Sequence, residues 1–258
     1  RGISIAPEQV VIAPGNKPLL TLPLFALLEP GDEVITPDPG FPTYEAAIRL
    51  VGAAPVAVPP LEAQGFDLDL AAFDAALSPR TRLVILNSPH PVPFARALAH
   101  DAAQQAASQY MNWLRRPGSE AVLARDDCVR LDEFFLRLGG AAWFHGEVRD
   151  AYHAAWAQPG AIAGGVNYYR ASPLYPPVGD DPGAARLALA EDDFVVRAKT
   201  LVIWGDGDTA LLPVLLDGLD RLVPDLRIVR LADATHWLVH EQPQRIIREI
   251  SGFVDDAA

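Results

Sequence analysis

A chain of 258 residues, half of them apolar, has the material for one large α/β domain or two small ones with a substantial core. The formal net charge of −12 speaks against nucleic acid or an anionic membrane as partner, because both require clustered Lys and Arg. The single cysteine, Cys128, excludes an intrachain disulfide and a multi-cysteine metal site, and reads as a surface or cap thiol.

In chain order, VVIA (10–13) predicts a strand and Pro18 to Glu29 a helix, closed by Pro30-Gly31. Then come strand EVITP (33–37), a helix from about Thr43 to Val51, strand PVAVP (55–59), helix DLAAFDAAL (69–77) and strand RLVILN (82–87). Asp69 is placed to cap that third helix, since its carboxylate can accept from free amides of the first turn. This alternation is the rhythm of β-α-β units on a parallel sheet.

From Pro91 to about Asp193 the strand rhythm stops and aromatic-rich helices take over, with turns at RRPG (115–118), LGG (138–140) and QPG (158–160). SPLYPPVGDDPG (172–183) is the longest loop candidate. TLVIWG (200–205) and LRIVRL (226–231) return as buried strands, separated by a predicted helix over Leu212 to Leu222 and followed by a last helix, Pro243 to Val254. The fold class read from this is α/β, a mostly parallel sheet with flanking helices and an inserted helical cap, in segments 1–90, 91–193 and 194–258.

No apolar run reaches the ~20 residues of a membrane helix and no signal segment opens the chain, so a cytoplasmic protein is expected. It starts on Arg1 rather than Met, consistent with an upstream part. Lysine is scarce: Lys17 and Lys199 stand against nineteen arginines.

VVIAPGNKPLL, followed by LLEPGDEVITPDPGFPTYEAAI, resembles the start of the large domain of fold-type-I pyridoxal-phosphate aminotransferases, over residues 1 to about 90. The resemblance implies a phosphate-holding helix N-terminus at Gly15, Asn16 and Lys17. It also implies a ring-stacking aromatic at Phe41, with Tyr44 nearby. The cofactor's chemistry further needs a Schiff-base lysine, a carboxylate on the pyridine nitrogen and an asparagine by the ring hydroxyl. Pro91 stands where that asparagine is expected, and neither Lys17 nor Lys199 matches the family's lysine. Transamination is therefore not expected; the alternative kept is a cofactor-binding fragment without turnover.

From about Leu86 onward the chain is similar to the cap and C-terminal half of α/β-hydrolase-fold epoxide hydrolases. The matching words are HPVPFARAL (90–98), SQYMNWLRRPG (108–118), GGVNYYRAS (164–172), TLVIWGDGD (200–208) and ATHWLVHEQP (234–243). This resemblance implies Asp208 as the acid, with Asp206 as alternative, and His236 as the base that activates water. It implies Tyr110 and Tyr169 as phenol donors to an opening epoxide oxygen. Trp113, Trp143 and Trp156 are expected to pack or line the cap. His240 reads as helix-start surface, and His90, His100, His145 and His153 as structural.

Epoxide hydrolases also need a nucleophile elbow, G-x-D-x-G or G-x-S-x-G, before the cap. Residues 1–90 carry none. The literal Gly179-Asp180-Asp181-Pro182-Gly183 lacks a preceding strand and reads as a surface turn; Asp38, flanked by prolines, is the weaker stand-in. The sequence thus reads as a crossover at LVILNSPH between two families, natural, engineered or created in sequence assembly, and as a hydrolase-like chain weak or inactive for want of its nucleophile. A small-molecule substrate is expected, no cofactor or metal is required by the hydrolase chemistry, and oligomeric state is left open.

Overall fold

The computed structural model describes residues 28–37, 42–61, 67–78 and 81–255. Gly15, Asn16, Lys17, Asp38 and Phe41, the predicted strand 10–13 and nearly all of the predicted helix 18–29 lie outside the described residues. The chain forms two compact units that divide between Thr81 and Arg82.

In the first unit, β1 (Glu33–Pro37) and β2 (Ala54–Val58) pair in parallel, Glu33 opposite Ala54 and Pro37 opposite Val58. Parallel neighbours need a crossover, and α1 (Pro42–Leu50) supplies it. Ile48 and Val51 from this crossover bury against Ala53, Val34 and Leu28. A short antiparallel pair, β3 (Pro60–Leu61) with β4 (Asp67–Leu68), precedes α2 (Leu70–Ala76). Asp69 caps α2 as the sequence predicts, its Oδ1 accepting from the Ala72 amide at 3.0 Å.

The second unit, Arg82–Phe253, is built on three parallel strands in the order β5 (Arg82–Leu86), β6 (Lys199–Gly205), β7 (Leu226–Leu231). β6 lies in the middle, and Thr200 to Gly205 are all buried, as expected for a strand covered on both faces. Its side chains alternate between two cores. Val202 and Trp204 join Val92, Phe94, Leu98, Leu215 and Leu219 on one face. Leu201 and Ile203 join Ala234, Leu238, Ile246 and Phe253 on the other. The second core is closed by α11 (Leu238–Glu241) and α12 (Pro243–Asp255).

Between β5 and β6 the chain runs through the helical insertion expected from sequence. It comprises α3 (Pro91–His100), α4 (Ala102–Ala107), α5 (Gln109–Leu114), α6 (Ser119–Leu123), α7 (Val129–Arg137), α8 (Gly146–Trp156) and α9 (Ala161–Ala171). The predicted helix over Leu212 to Leu222 is corrected. Pro213 to Leu216 form a 3₁₀ turn and α10 (Leu219–Leu222) a single turn, because Gly218 sits between them at φ +73° and breaks the helix.

The strand on which the two resemblances meet has a definite place. β5 hydrogen-bonds along its length to β6, from Arg82 opposite Lys199 to Leu86 opposite Ile203, whereas β1 and β2 make a sheet of their own. The last strand of the aminotransferase-like stretch is thus a strand of the hydrolase-like sheet.

Candidate active site

Asp208 follows the C-terminal end of β6, the end at which open parallel sheets present functional groups. Its carboxylate is 2% exposed and receives four donors. Oδ1 accepts from the amides of Ala210 at 2.7 Å and Leu211 at 2.9 Å. Oδ2 accepts from His236 Nδ1 at 2.8 Å and from Asn87 Nδ2. An ionised carboxylate is an acceptor only, so four converging donors suit that form. Asp206, the alternative acid, points elsewhere: its Oδ1 accepts from Arg230 Nε at 2.8 Å.

His236 lies in the loop between β7 and α11. With Nδ1–H donating to Asp208, its Nε2 carries the lone pair. Several groups brace that loop. Glu241 accepts from the Thr235 amide and from the Thr235 hydroxyl, each at 2.6 Å. Trp237 stacks on Phe135 of α7 at 4.4 Å between ring centroids. Gly139, at φ +102°, approaches Thr235 so closely that a Cβ there would stand 2.5 Å from Oγ1. The loop is therefore gripped by the helical insertion as well as by its own helix.

The loop after Asp208 is held in turn by Gln104, fully buried on α4. Its Nε2 donates to the Ala210 carbonyl and to Ser108 Oγ, both at 2.8 Å, while its Oε1 accepts from the Leu212 amide at 2.9 Å. The same turn thereby keeps the Ala210 and Leu211 amides aimed at Asp208.

Tyr110 on α5 and Tyr169 on α9 meet edge to face at 5.9 Å, and both pack against the core that contains Leu211 and Val202. Burial pushes both phenols above the usual tyrosine range. For Tyr110 the neighbouring Tyr169 and the charge of Asp208 add to that rise; for Tyr169 the hydrogen bond from Tyr110 works against it. Both therefore stay neutral phenols. Arg115 fixes the end of α9 by donating to the carbonyls of Tyr169, Arg170 (3.2 Å) and Ser172 (2.9 Å), with its guanidinium 3.7 Å above the Tyr175 ring.

The four residues singled out for hydrolysis thus share one unit, with Asp208 bonded to His236, Tyr110 against Tyr169, and Tyr110 within the field of Asp208. His90, His153 and His240 and the tryptophans Trp113, Trp143 and Trp156 have capping, pairing or packing roles, whereas His100 and His145 are exposed. His90 caps α3, accepting from the Val92 amide at 3.3 Å through Nδ1, with Nε2 2.9 Å from the Phe194 carbonyl; burial lowers its pKa. His153 bonds Asp132 at 2.7 Å beside the Arg149–Asp132 ion pair. His240 keeps an exposed edge, but its face stacks on Trp143 at 3.9 Å, and this desolvation lowers its pKa. Trp143 and Trp156 pack on Phe135 and Phe144, and Trp113 on the core of α5, α6 and α9.

Gly179 to Gly183 form a tight turn with Val178 bridged to Asp181, whose carboxylate is occupied by the Tyr175 hydroxyl, the Gly183 amide and Arg186. It is no elbow. Cys128 begins α7 in left-handed geometry, and no cluster of three metal-ligating side chains occurs among the described residues.

A family model for aminotransferase class I and II matches residues 1–105. A probable aspartate/prephenate aminotransferase from Thermus aquaticus is 36% identical over 110 residues, 40% of this chain and 29% of that protein. The AB hydrolase superfamily protein YfhM from Bacillus subtilis is 28% identical over 163 residues, 63% of this chain and 53% of its relative. A solved epoxide hydrolase from Bacillus megaterium superposes with a TM-score of 0.62 at 25% identity, covering 82% of this chain and 73% of that one. The chain is similar to two families, one toward each end. It spans under a third of the aminotransferase and about half of the hydrolase relative. The aminotransferase match runs to residue 105, beyond the boundary near 90 read from sequence, and so passes through β5 and α3 of the hydrolase-like unit.

A pyridoxal phosphate site would need a lysine to hold the aldehyde. Lys199, the one lysine among the described residues, opens β6 with its ammonium 5.4 Å from the Phe253 ring centroid. Gly15, Asn16, Lys17 and Phe41 lie outside the described residues.

Sequence reasoning singled out Asp208, His236, Tyr110 and Tyr169 but not Asn87, Gln104, Glu241 or Gly139. Asn87 did leave a signal: a polar amide ending an apolar strand, beside the place where sheet enzymes keep their machinery.

Proposed function

We propose that the unit Arg82–Phe253 is a hydrolase of the α/β-hydrolase type acting weakly on small epoxides. The observation that supports this most is the 2.8 Å bond between His236 Nδ1 and the buried Asp208 carboxylate, which leaves Nε2 free to take a proton. In this reading Nε2 accepts a proton from water as the water oxygen attacks a ring carbon. The ring carbon–oxygen bond breaks and its electron pair stays on the ring oxygen, which receives a proton from Tyr169, supported by Tyr110. Asp208 stabilises the imidazolium, whose proton returns through water to the phenolate. Epoxide and water become one diol, and the protein is unchanged.

Direct attack by water replaces the covalent step that an elbow would provide. General acid–base assistance alone contributes roughly 10²–10⁴-fold, so modest turnover is the expectation. Pyridoxal phosphate has no part in this chemistry: adding it should leave the absorbance of the protein unchanged, and a new band reversed by phosphate would reinstate the cofactor-binding alternative. The hydrolysis itself is tested by diol formation from an aryl epoxide. His236→Ala and Asp208→Asn should each lower the rate at least about tenfold; an undiminished rate in purified, folded His236→Ala rejects the assignment.

A further inference from the structure

Asn87 is 7% exposed and stands at the end of β5, 121 positions from the carboxylate it touches. Its backbone takes φ +45°, a left-handed conformation that Asn tolerates better than most residues. The turn is anchored by the Asn87 amide, which donates to the Ile203 carbonyl at 3.0 Å. Its side chain is used at both ends: Oδ1 accepts from the Gly205 amide at 2.7 Å, and Nδ2 donates to Asp208 Oδ2, the same oxygen that receives His236. One buried amide therefore ties the last residue of β6 to the carboxylate that orients the histidine.

We propose that Asn87 is a positioning residue for the acid–histidine pair, deepening the hydrolase reading on which it rests. Two backbone amides hold Oδ1 of Asp208 from one side, and Oδ2 completes the hold on the carboxylate plane from the other. Asn87 and His236 approach that oxygen as two donors, and the amide, locked by Gly205, fixes where the imidazole must come. Without the amide, Oδ2 keeps His236 as its one donor, and the hold on the carboxylate plane is reduced to the two backbone amides on Oδ1. The imidazole then loses a fixed acceptor, and its Nδ1 proton exchanges with solvent. The residue comes from the stretch both sequence resemblances share.

The test is proton–nitrogen NMR of the full chain, which needs no turnover. In the wild type, His236 Nδ1–H should give a resolved low-field resonance. Asn87→Gly removes the amide and keeps the left-handed backbone; that resonance should disappear or broaden at least about threefold, with the amide signals of Leu201 and Ile203 retained. Asn87→Asp keeps the acceptor for Gly205 and places a second carboxyl against Asp208. Two such carboxyls share one proton, so the His236 resonance should move with pH in one additional step absent from the wild type. A His236 signal in either folded variant that matches the wild type in width, position and pH dependence overturns the proposal. If Asn87→Gly fails to fold, Asn87→Asp decides alone. Loss of epoxide hydrolysis in every form, wild type included, would sink the functional reading while leaving the NMR result intact.

Discussion

Replacing Gln104 with Leu strikes the loop that carries the acid. The side chain is fully buried and makes three hydrogen bonds, two of which satisfy main-chain groups of the loop, the Ala210 carbonyl and the Leu212 amide. Leu fills nearly the same volume, so no large cavity opens, and the cost comes from stranded polar groups. Each buried orphan costs about 1–3 kcal/mol, which for two main-chain groups gives roughly 2–5 kcal/mol after partial relaxation. With a urea m-value of about 2 kcal/mol/M, the unfolding midpoint should fall by roughly 1–2.5 M. The assay is urea unfolding followed by near-ultraviolet circular dichroism, which reports the tryptophans of the second unit. Gln105→Leu serves as the control, since Gln105 makes a single bond to the Leu98 carbonyl and should cost no more than about 1 kcal/mol. A midpoint for Gln104→Leu within about 0.3 M of wild type would refute the assignment of this amide as the brace of the acid loop.

Acid sensitivity should begin near neutrality. Burial lowers the folded-state pKa of His90 and His240 below 6.5, so their stabilising neutral forms are fully present above that value. As pH falls below about 6.5 the unfolded chain takes up protons first, and stability drops until the folded-state values are passed. His90→Asn keeps a capping acceptor and should flatten part of that limb in thermal melts between pH 7 and 5; an unchanged pH slope would show that His90 is not the group responsible. Asp132 acts lower still. Burial raises its pKa, but the bonds from His153 and Arg149 outweigh this and hold the carboxyl below 3.8, so its contribution is lost only as pH falls through that lower value. Gly139→Ala places a methyl against Thr235 at a left-handed position and should cost about 1–3 kcal/mol while moving the His236 loop. Chemical shifts of Thr235 and His236 identical to wild type would contradict that contact.

What sequence could and could not reveal follows from where the information lies. β6 was legible because a central parallel strand is apolar on both faces, and the glycines after it mark a turn at its carboxyl end. Asp69 was legible as a cap because capping is decided within three residues. Asp208 and His236 were singled out through their resemblance to a family pattern, whereas their separate positions would have been unremarkable. Asn87 and Gln104 were not found because each acts across more than a hundred residues, and nothing local distinguishes a bracing amide from a solvated one. The helix expected over 212–222 failed for a local reason that was present in the sequence: Pro213 and Gly218 are stop signals, outvoted by a run of apolar residues that bury as two short turns instead. The pairing of β5 with β6 was beyond reach because both resemblances claim that strand, and register between strands separated by a helical insertion leaves no mark in either one.

The most direct test of the account is a single turnover in ¹⁸O-labelled water, with the chain in excess over an aryl epoxide and the diol analysed by mass spectrometry. Activation of water by His236 predicts that the first diol formed carries one ¹⁸O, and that His236→Ala forms it at least about tenfold more slowly. A first-turnover diol without label would show that a carboxylate of the protein, not water, attacks the ring, and no diol at all would contradict the hydrolase reading itself.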